Sequence, residues 1–293
     1  MSHKIAVLSN IHLLPETEAQ IKALFGHDIH FPDEQIQPSE AELVARTGTA
    51  DLVLTHPTTV ITEQYLQACP SVMYIGICGT TMANVDERVT ASGVTVTNVE
   101  HYGDESGAEF ILMQLVYLAR GMGKYQWRDM PTELMGKSLG IIGLGSVGQA
   151  IAELALAYKM KVHYYSQTRK PHWEQRGVTY ADKTVLLQAS DIVVVSTPTN
   201  TVAMDEHSFS LLRPHVILVQ ASAGTSFEMP AFLNWIKQKG NYALFDLAAG
   251  KTNFEALKDV PGVVFPHVMG GYTREARQRM GDGVVENLKE FLK

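Results

Sequence analysis

Only two cysteines, Cys69 and Cys78, occur in the 293 residues. Their spacing matches no metal or redox motif, which excludes a disulfide scaffold and leaves two buried or half-buried thiols suited to a reducing compartment. No apolar run is long enough to span a bilayer, so no membrane partner is expected. No basic block is present either. Lys and Arg total 24 against 31 Asp and Glu, a formal net charge of −7, which gives a nucleic-acid partner no electrostatic support. The opening residues, MSHKIAVLSN, run straight into a strand pattern and lack signal-peptide anatomy, so a cytoplasmic protein is expected. There is no internal repeat, no low-complexity segment and no spacing that points to a metal.

Against these absences stands an apolar share of 45%, ordinary for a chain that buries real cores, at a length suited to one large or two ordinary domains. The most informative stretch is SLGIIGLGSVGQA, residues 138–150. Ser138 to Ile142 reads as a buried strand. Gly143, Gly145 and Gly148 follow in G-x-G-x-x-G spacing, and Val147, Ile151, Leu154, Ala155 and Tyr158 then repeat with helical period. In such a strand–turn–helix unit the first glycine permits the turn and the second admits a pyrophosphate to the backbone. The third lets helix and strand pack closely, with the diphosphate at the helix N-terminus. A dinucleotide site is therefore expected at Gly143, Leu144, Gly145, Ser146, Val147 and Gly148.

Short strand and helix signals alternate along the whole chain, which predicts parallel sheets built from βαβ units. The first half predicts strands at Lys4–Leu8, Asp28–Phe31, Asp51–Leu54, Val72–Ile75 and Val94–Thr97, with helices between them. A long, well-buried helix is expected from Glu105 to Gly121, then a connector to Gly136. The second half predicts strands at Lys161–Tyr165, Asp191–Ser196, Val216–Gln220, Tyr242–Asp246 and Val263–Phe265. The tail from Thr273 to Leu292 has helical spacing, broken at Gly281 and Gly283. The expected fold is α/β, with two doubly wound parallel-sheet domains: a Rossmann cofactor domain and a flavodoxin-like substrate domain. The boundaries are 1–101 with 273–293 for the substrate domain, and 102–272 for the cofactor domain.

The second strand of the cofactor unit ends YYSQTRKP, residues 164–171. An NAD-binding unit carries an acid there for the ribose 2′-hydroxyl. Here Ser166 occupies that place, Thr168, Arg169 and Lys170 follow, and no acid appears before Glu174. Serine and cations suit a 2′-phosphate, so NADP(H) is the expected cofactor and NAD(H) the alternative.

At this point the chain resembles the D-isomer-specific 2-hydroxyacid dehydrogenases over nearly its whole length. GTTMANVDERVTASGVTVTN (79–98), DESGAEFILMQLVYLAR (104–120), LMGKSLGIIGLGSVGQAIA (134–152) and PHVMGGYTREA (266–276) carry the resemblance. SQTRK (166–170) is similar to the NADP-preferring glyoxylate and hydroxypyruvate reductases. The resemblance implies a homodimer through the cofactor domain, further cofactor contacts from Thr197, Pro198, Ala221 and Asp246, and substrate contacts from the loop Gly79, Thr80 and Thr81.

It also implies three catalytic side chains: an Arg that pairs with the substrate carboxylate and keto oxygen, a proton-donating His, and a Glu that orients the His. His267 matches the His. The Arg segment reads QASAG (220–224), with Ala223 in the Arg's place. The stretch FDLAAGK (245–251) keeps Asp246 but offers no Glu, and Lys251 lies nearest. Three residues are candidates to take over from the missing Arg: His56 in LTHPTT, Arg274 in YTREAR, and Thr81, whose hydroxyl stands where the family has a glycine; the alternatives are a turn before Pro57 for His56 and a solvated helix face for Arg274. The expected function is NADP-dependent reduction of a small-molecule carbonyl compound, with His267 as donor. The alternative is a dinucleotide-binding sensor without turnover.

Overall fold

The computed structural model describes residues 3–34, 37–266 and 268–293. They form two units, Met1–Tyr102 with Thr273–Lys293, and Gly103–Tyr272.

The first unit has four parallel strands, β1 (Ile5–Val7), β2 (Leu52–Thr55), β3 (Tyr74–Ile77) and β4 (Thr95–Thr97), side by side in that order. Ile5 lies opposite Leu52, and Leu52 opposite Tyr74. Every residue of β2 and β3 is buried, as expected of parallel strands covered on both faces. One face is covered by α1 (Pro15–Phe25) and α13 (Arg274–Phe291), which bring Ile21, Met280, Val284 and Leu288 against Val7, Leu54 and Tyr74. The other face is covered by α2 (Glu40–Thr47), α3 (Glu63–Ala68) and α4 (Glu87–Ala91), through Leu43, Tyr65 and Val89. Ser39 and Glu42 close a capping box at the start of α2.

Two expectations change here. Asp28–Phe31 forms no strand. Ile29 and Phe31 still pack on the first cluster, but Asp28 and His30 are exposed and Pro32 removes the next ladder donor. Helix α13 runs unbroken through Gly281 and Gly283. A Cβ at Gly281 would lie 2.2 Å from Thr17 Oγ1, and one at Gly283 would lie 2.6 Å from Val99 Cγ1. These glycines are notches that let the helix approach its neighbours, worth more than their roughly 1 kcal/mol propensity cost.

The second unit is a seven-stranded parallel sheet. Its strands are β5 (Ser138–Ile142), β6 (Lys161–Tyr165), β7 (Thr179–Tyr180), β8 (Ile192–Val195), β9 (Ile217–Gln220), β10 (Tyr242–Phe245) and β11 (Val263–Val264). Their order is β7-β6-β5-β8-β9-β10-β11, so the chain reverses direction between β5 and β8. Crevices at such a reversal, outside the carboxyl ends of the strands, are where open α/β sheets take ligands. Helices α5 (Asp104–Arg120) and α6 (Ser146–Ala157) cover one face, with Leu112, Leu115, Ile151 and Ala155 on Leu139, Ile141 and Val194. The opposite face carries α8 (Lys183–Ala189), α9 (Glu206–Ser210), α10 (Met229–Ile236) and α12 (Phe254–Leu257), with Leu186, Phe209, Phe232 and Leu257 on Val193, Val195 and Phe245. Two short helices, α7 (Pro171–Gln175) and α11 (Leu247–Gly250), follow β6 and β10. The stretch between α5 and β5 is anchored by Trp127, which is buried and donates from Nε1 to His215 O at 2.8 Å.

Candidate functional site

The glycine turn sits at the sheet's reversal point. Gly143, just past β5, has φ +95°, and a Cβ there would lie 2.1 Å from Ser196 O. No other residue fits that backbone and that space. A Cβ at Gly148 would lie 2.4 Å from Gly143 O, so this glycine lets α6 press against the turn. Gly145 is the opposite case: its Cβ position meets nothing within 4 Å. Gly145 is exposed and is the N-cap of α6, where no side chain caps the helix and no acid occupies the first turn. The first-turn amides, from Ser146, Val147 and Gly148, therefore lack intrahelical acceptors beside an open space. That is what a diphosphate requires: N–H donors, the positive end of a helix, and room. Leu144 is buried in the core, so only its backbone belongs to the turn.

At the end of β6, Ser166 Oγ donates to Thr168 O at 2.5 Å and tightens the turn. Arg169 is exposed yet held. Its Nε donates to Glu174 Oε1 at 3.1 Å, a second bond joins Nη2 to Oε2, and the guanidinium lies 4.9 Å above the Tyr180 ring. Tyr164 donates its hydroxyl to the same Glu174 Oε1 at 2.8 Å and accepts from Lys170 N at 2.6 Å. The Glu174 bond pushes the Arg169 guanidinium's pKa up, and the Arg169 bond holds the Glu174 carboxyl below its usual range. The sequence shows Glu174 only as the first acid after a basic turn. Their pairing depends on α7 starting at Pro171, which folds position 174 back over 169.

The loops after β8 and β9 are tied together. Ser222 Oγ accepts from Thr197 N at 2.7 Å and donates to Val195 O at 3.2 Å. Buried Gln220 donates to Ser222 O at 2.9 Å and Gly224 O at 3.3 Å, so the QASAG turn is shaped by its own first residue. Pro198 is exposed and Ala221 half-buried on these loops, and Ala223 is exposed at the tip. Asp246, after β10, caps α11: Oδ1 accepts from Ala249 N at 2.6 Å and Oδ2 from Gly270 N at 3.2 Å. Burial pushes its carboxyl pKa up against the pull of these amides. Lys251 is exposed. His267 lies outside the described residues.

The remaining candidates lie in the first unit, His56 and Gly79–Thr81 at the carboxyl ends of its strands and Arg274 at the start of α13. A Cβ at Gly79, after β3, would lie 2.5 Å from Pro57 Cγ, so the Gly79–Thr80–Thr81 loop packs on the turn that carries His56. Asn98 Nδ2 donates to Thr80 O at 2.6 Å, and Thr81 Oγ1 accepts from Ala83 N at 3.1 Å. His56 donates its backbone N–H to Ser9 Oγ at 3.0 Å, and its Nδ1 accepts from Thr58 N at 3.2 Å. A residue that sequence reasoning passed over, His12, stands edge-to-face with it, ring centroids 5.6 Å apart at 88°. Its backbone is left-handed, φ +53°, which no residue pattern announced. Burial, then the charge of Arg277, lowers the His12 pKa below the usual imidazole value. Arg274 is already engaged: Nη2 donates to Glu16 Oε1 at 2.7 Å between two exposed side chains. Among the described residues, no three His, Cys, Asp or Glu side chains gather to hold a metal, and no helix is long and apolar enough to cross a membrane.

Comparison with known proteins adds to this geometry. The family profile described as "D-isomer specific 2-hydroxyacid dehydrogenase, NAD binding domain" matches residues 110–268. A glyoxylate reductase of Thermococcus litoralis is 27% identical over 307 residues, covering 96% of this chain and 92% of that protein. Two solved structures share the fold: the D-lactate dehydrogenase of Escherichia coli, without ligand (TM-score 0.81, 19% identity, 98% of this chain and 96% of that one), and an acyclic imino acid reductase in complex with NADPH and D-Arg (TM-score 0.80, 23% identity, 99% and 97%).

Proposed function

The chain belongs to the D-isomer specific 2-hydroxyacid dehydrogenase family and is an NAD(P)-dependent oxidoreductase; from that premise we propose that it reduces a small carbonyl compound with NADPH, through an active site altered from the family pattern. The observation that carries this reading is the open space at Gly145 before the uncapped start of α6. In this reading 102–272 is the cofactor domain, and 1–101 with 273–293 the substrate domain. The nicotinamide cofactor supplies a hydride when bound. The chain's own residues do the rest. Gly143, Leu144, Gly145, Ser146, Val147 and Gly148 hold the diphosphate. Ser166, Thr168, Arg169 and Lys170 receive the 2′-phosphate. Thr197, Pro198, Ala221 and Asp246 wall the nicotinamide end, and His267 donates the proton to the carbonyl oxygen. The free, buried thiols of Cys69 and Cys78 suit the cytosol. NADPH oxidation against a panel of keto acids, aldehydes and ketones tests the reading. Turnover of at least one compound, lost in His267→Ala, is expected; no turnover across the panel counts against it.

Arg169 gives a sharper test of cofactor choice. Arg169→Ala is expected to weaken NADPH by about 1.5–3 kcal/mol, the range for a hydrogen bond to a charged group, and to leave NADH nearly unchanged. Paired fluorescence titrations read both constants. Parallel losses for the two cofactors would mean that Arg169 supports the turn and not the phosphate.

A homodimer, which the family resemblance implies, would need an apolar surface on this unit. Met113, Tyr117 and Met122 are 53%, 47% and 63% exposed. With Leu112, Val116 and Leu154 they line a groove of about 440 Å³ between α5 and α6. We assign this groove to a second copy of this chain. Tyr117→Glu is expected to halve the mass seen by light scattering after gel filtration. A parent protein that is already monomeric would remove the assignment.

A further inference from the structure

Resting on the NADPH reading above, we propose that Glu174 is a positioning residue for cofactor choice: it aims the Arg169 guanidinium at the 2′-phosphate of NADPH, with Tyr164 and Tyr180 as its supports. Every part of this device lies in the second unit, between the end of β6 and β7.

A surface arginine is by itself a poor phosphate receptor. Its long side chain samples many rotamers, and that freedom is lost when the phosphate arrives. The Arg169 side chain is 62% exposed, so the core does not hold it. Glu174 does. Its carboxylate accepts from Nε at 3.1 Å and from Nη2, along one edge of the planar guanidinium. Tyr180 covers one face, with 4.9 Å between the guanidinium carbon and the ring centroid. In a guanidinium gripped this way the Nη1–Nη2 edge points away from the carboxylate. That edge is a fork able to meet a phosphate with two parallel N–H···O bonds.

The carboxylate is itself fixed from behind. Tyr164 is buried, and its hydroxyl donates to Glu174 Oε1 at 2.8 Å while accepting from Lys170 N at 2.6 Å. The Lys170 carbonyl accepts from Glu174 N at 3.2 Å, so the basic turn and α7 close on each other. Trp173, one residue before Glu174, is buried in the core and anchors α7. The Tyr164 and Tyr180 rings meet edge to face, 5.4 Å apart at 77°. Glu174 therefore stands on a rigid base, unlike the partners of most surface ion pairs, which both move. The pairing also removes a conflict. A free carboxylate beside the basic turn would repel a 2′-phosphate, whereas here Arg169 already balances its charge. NADH presents a neutral 2′-hydroxyl, which has no need of the fork, so the effect belongs to NADPH.

The test is a double-mutant cycle, read by fluorescence titration of the whole protein with NADPH and NADH. Glu174→Ala is expected to weaken NADPH about three- to tenfold, the cost of ordering one long side chain on binding, and to leave NADH nearly unchanged. In the Arg169→Ala background the same change should add almost nothing, because Glu174 acts through Arg169. Glu174→Gln can keep the two bonds at Oε1 and loses the one at Oε2, so its affinity for NADPH should fall between those of the parent and the alanine variant. Equal losses for the two cofactors would assign Glu174 to the fold and overturn the proposal. Additive losses in the cycle, or unchanged NADPH affinity, overturn it too. So does tighter NADPH binding by Glu174→Ala, which would mean that the carboxylate competes with the phosphate for Arg169. The underlying reading is judged separately. A parent that prefers NADH, or an Arg169→Ala protein that loses both cofactors alike, strikes the NADPH reading and this proposal with it. A selective loss in Arg169→Ala beside an unaffected Glu174→Ala strikes this proposal alone.

Discussion

Gly145→Val is expected to abolish NADPH binding while the protein melts within a few degrees of the parent. The Cβ position at Gly145 is empty to 4 Å, so the fold has room for the side chain. The added methyls would occupy the space that the diphosphate must enter to reach the α6 amides. Losing two charge-assisted bonds of about 1.5–3 kcal/mol each weakens the dinucleotide on the order of a hundredfold or more. Its neighbour supplies the control. At Gly143 even alanine would be forced to φ +95° with its Cβ 2.1 Å from Ser196 O. Left-handed strain of about 1–2 kcal/mol adds to overpacking of about 1–3 kcal/mol, so Gly143→Ala should lower stability as well as binding. Thermal melts and cofactor titrations of the two variants separate the roles. A Gly145→Val protein that binds NADPH normally would place the dinucleotide elsewhere.

Weak turnover of glyoxylate, pyruvate and hydroxypyruvate, even at saturating NADPH, is the second large effect. An Arg–carboxylate pair contributes about 1.5–3 kcal/mol, and alignment of a small substrate for hydride transfer adds to that. At about 1.4 kcal/mol per tenfold, its absence costs several powers of ten in kcat/KM. Ala223→Arg should raise kcat/KM for these acids. The position accepts it, because Ala223 is exposed while Gln220 and Ser222 fix the turn from beneath. Gly224 is the wrong place, since a Cβ there would lie 2.2 Å from Asn200 Oδ1. Steady-state kinetics on the three acids decides the matter; fast turnover by the unaltered protein would mean that another cation already fills the role.

Much of this was legible in the residues. The strands Ser138–Ile142 and Lys161–Tyr165 stand where their apolar patterns put them, because local periodicity and burial agree there. What escaped depends on partners far away in sequence. Asp28–Phe31 has strand-like residues but no ladder, and only the sheet's edge decides that. Gly281 and Gly283 look like helix breakers until Thr17 and Val99 are placed against them. The pairing of Arg169 with Glu174 needed the geometry of a five-residue helix. His12 carried no signal at all, since nothing in SNIHLL betrays a left-handed backbone held by Arg277.

Helix α13 has a consequence for biosynthesis. The first unit is covered on one face by α1 and α13, yet all of Gly103–Tyr272 is made between them. On a ribosome the second unit can close as soon as its last strand emerges. The first unit must then wait for Met280, Val284 and Leu288 to complete the cover over Val7, Ile21 and Tyr74. Exposed apolar surface during such a wait is what chaperones bind and what drives aggregation. The notches at Gly281 and Gly283 let the late helix seat against a surface formed long before it, without reshaping Thr17 or Val99. Translation speed through the final stretch, and not only the stability of the finished fold, therefore bears on how much native protein accumulates.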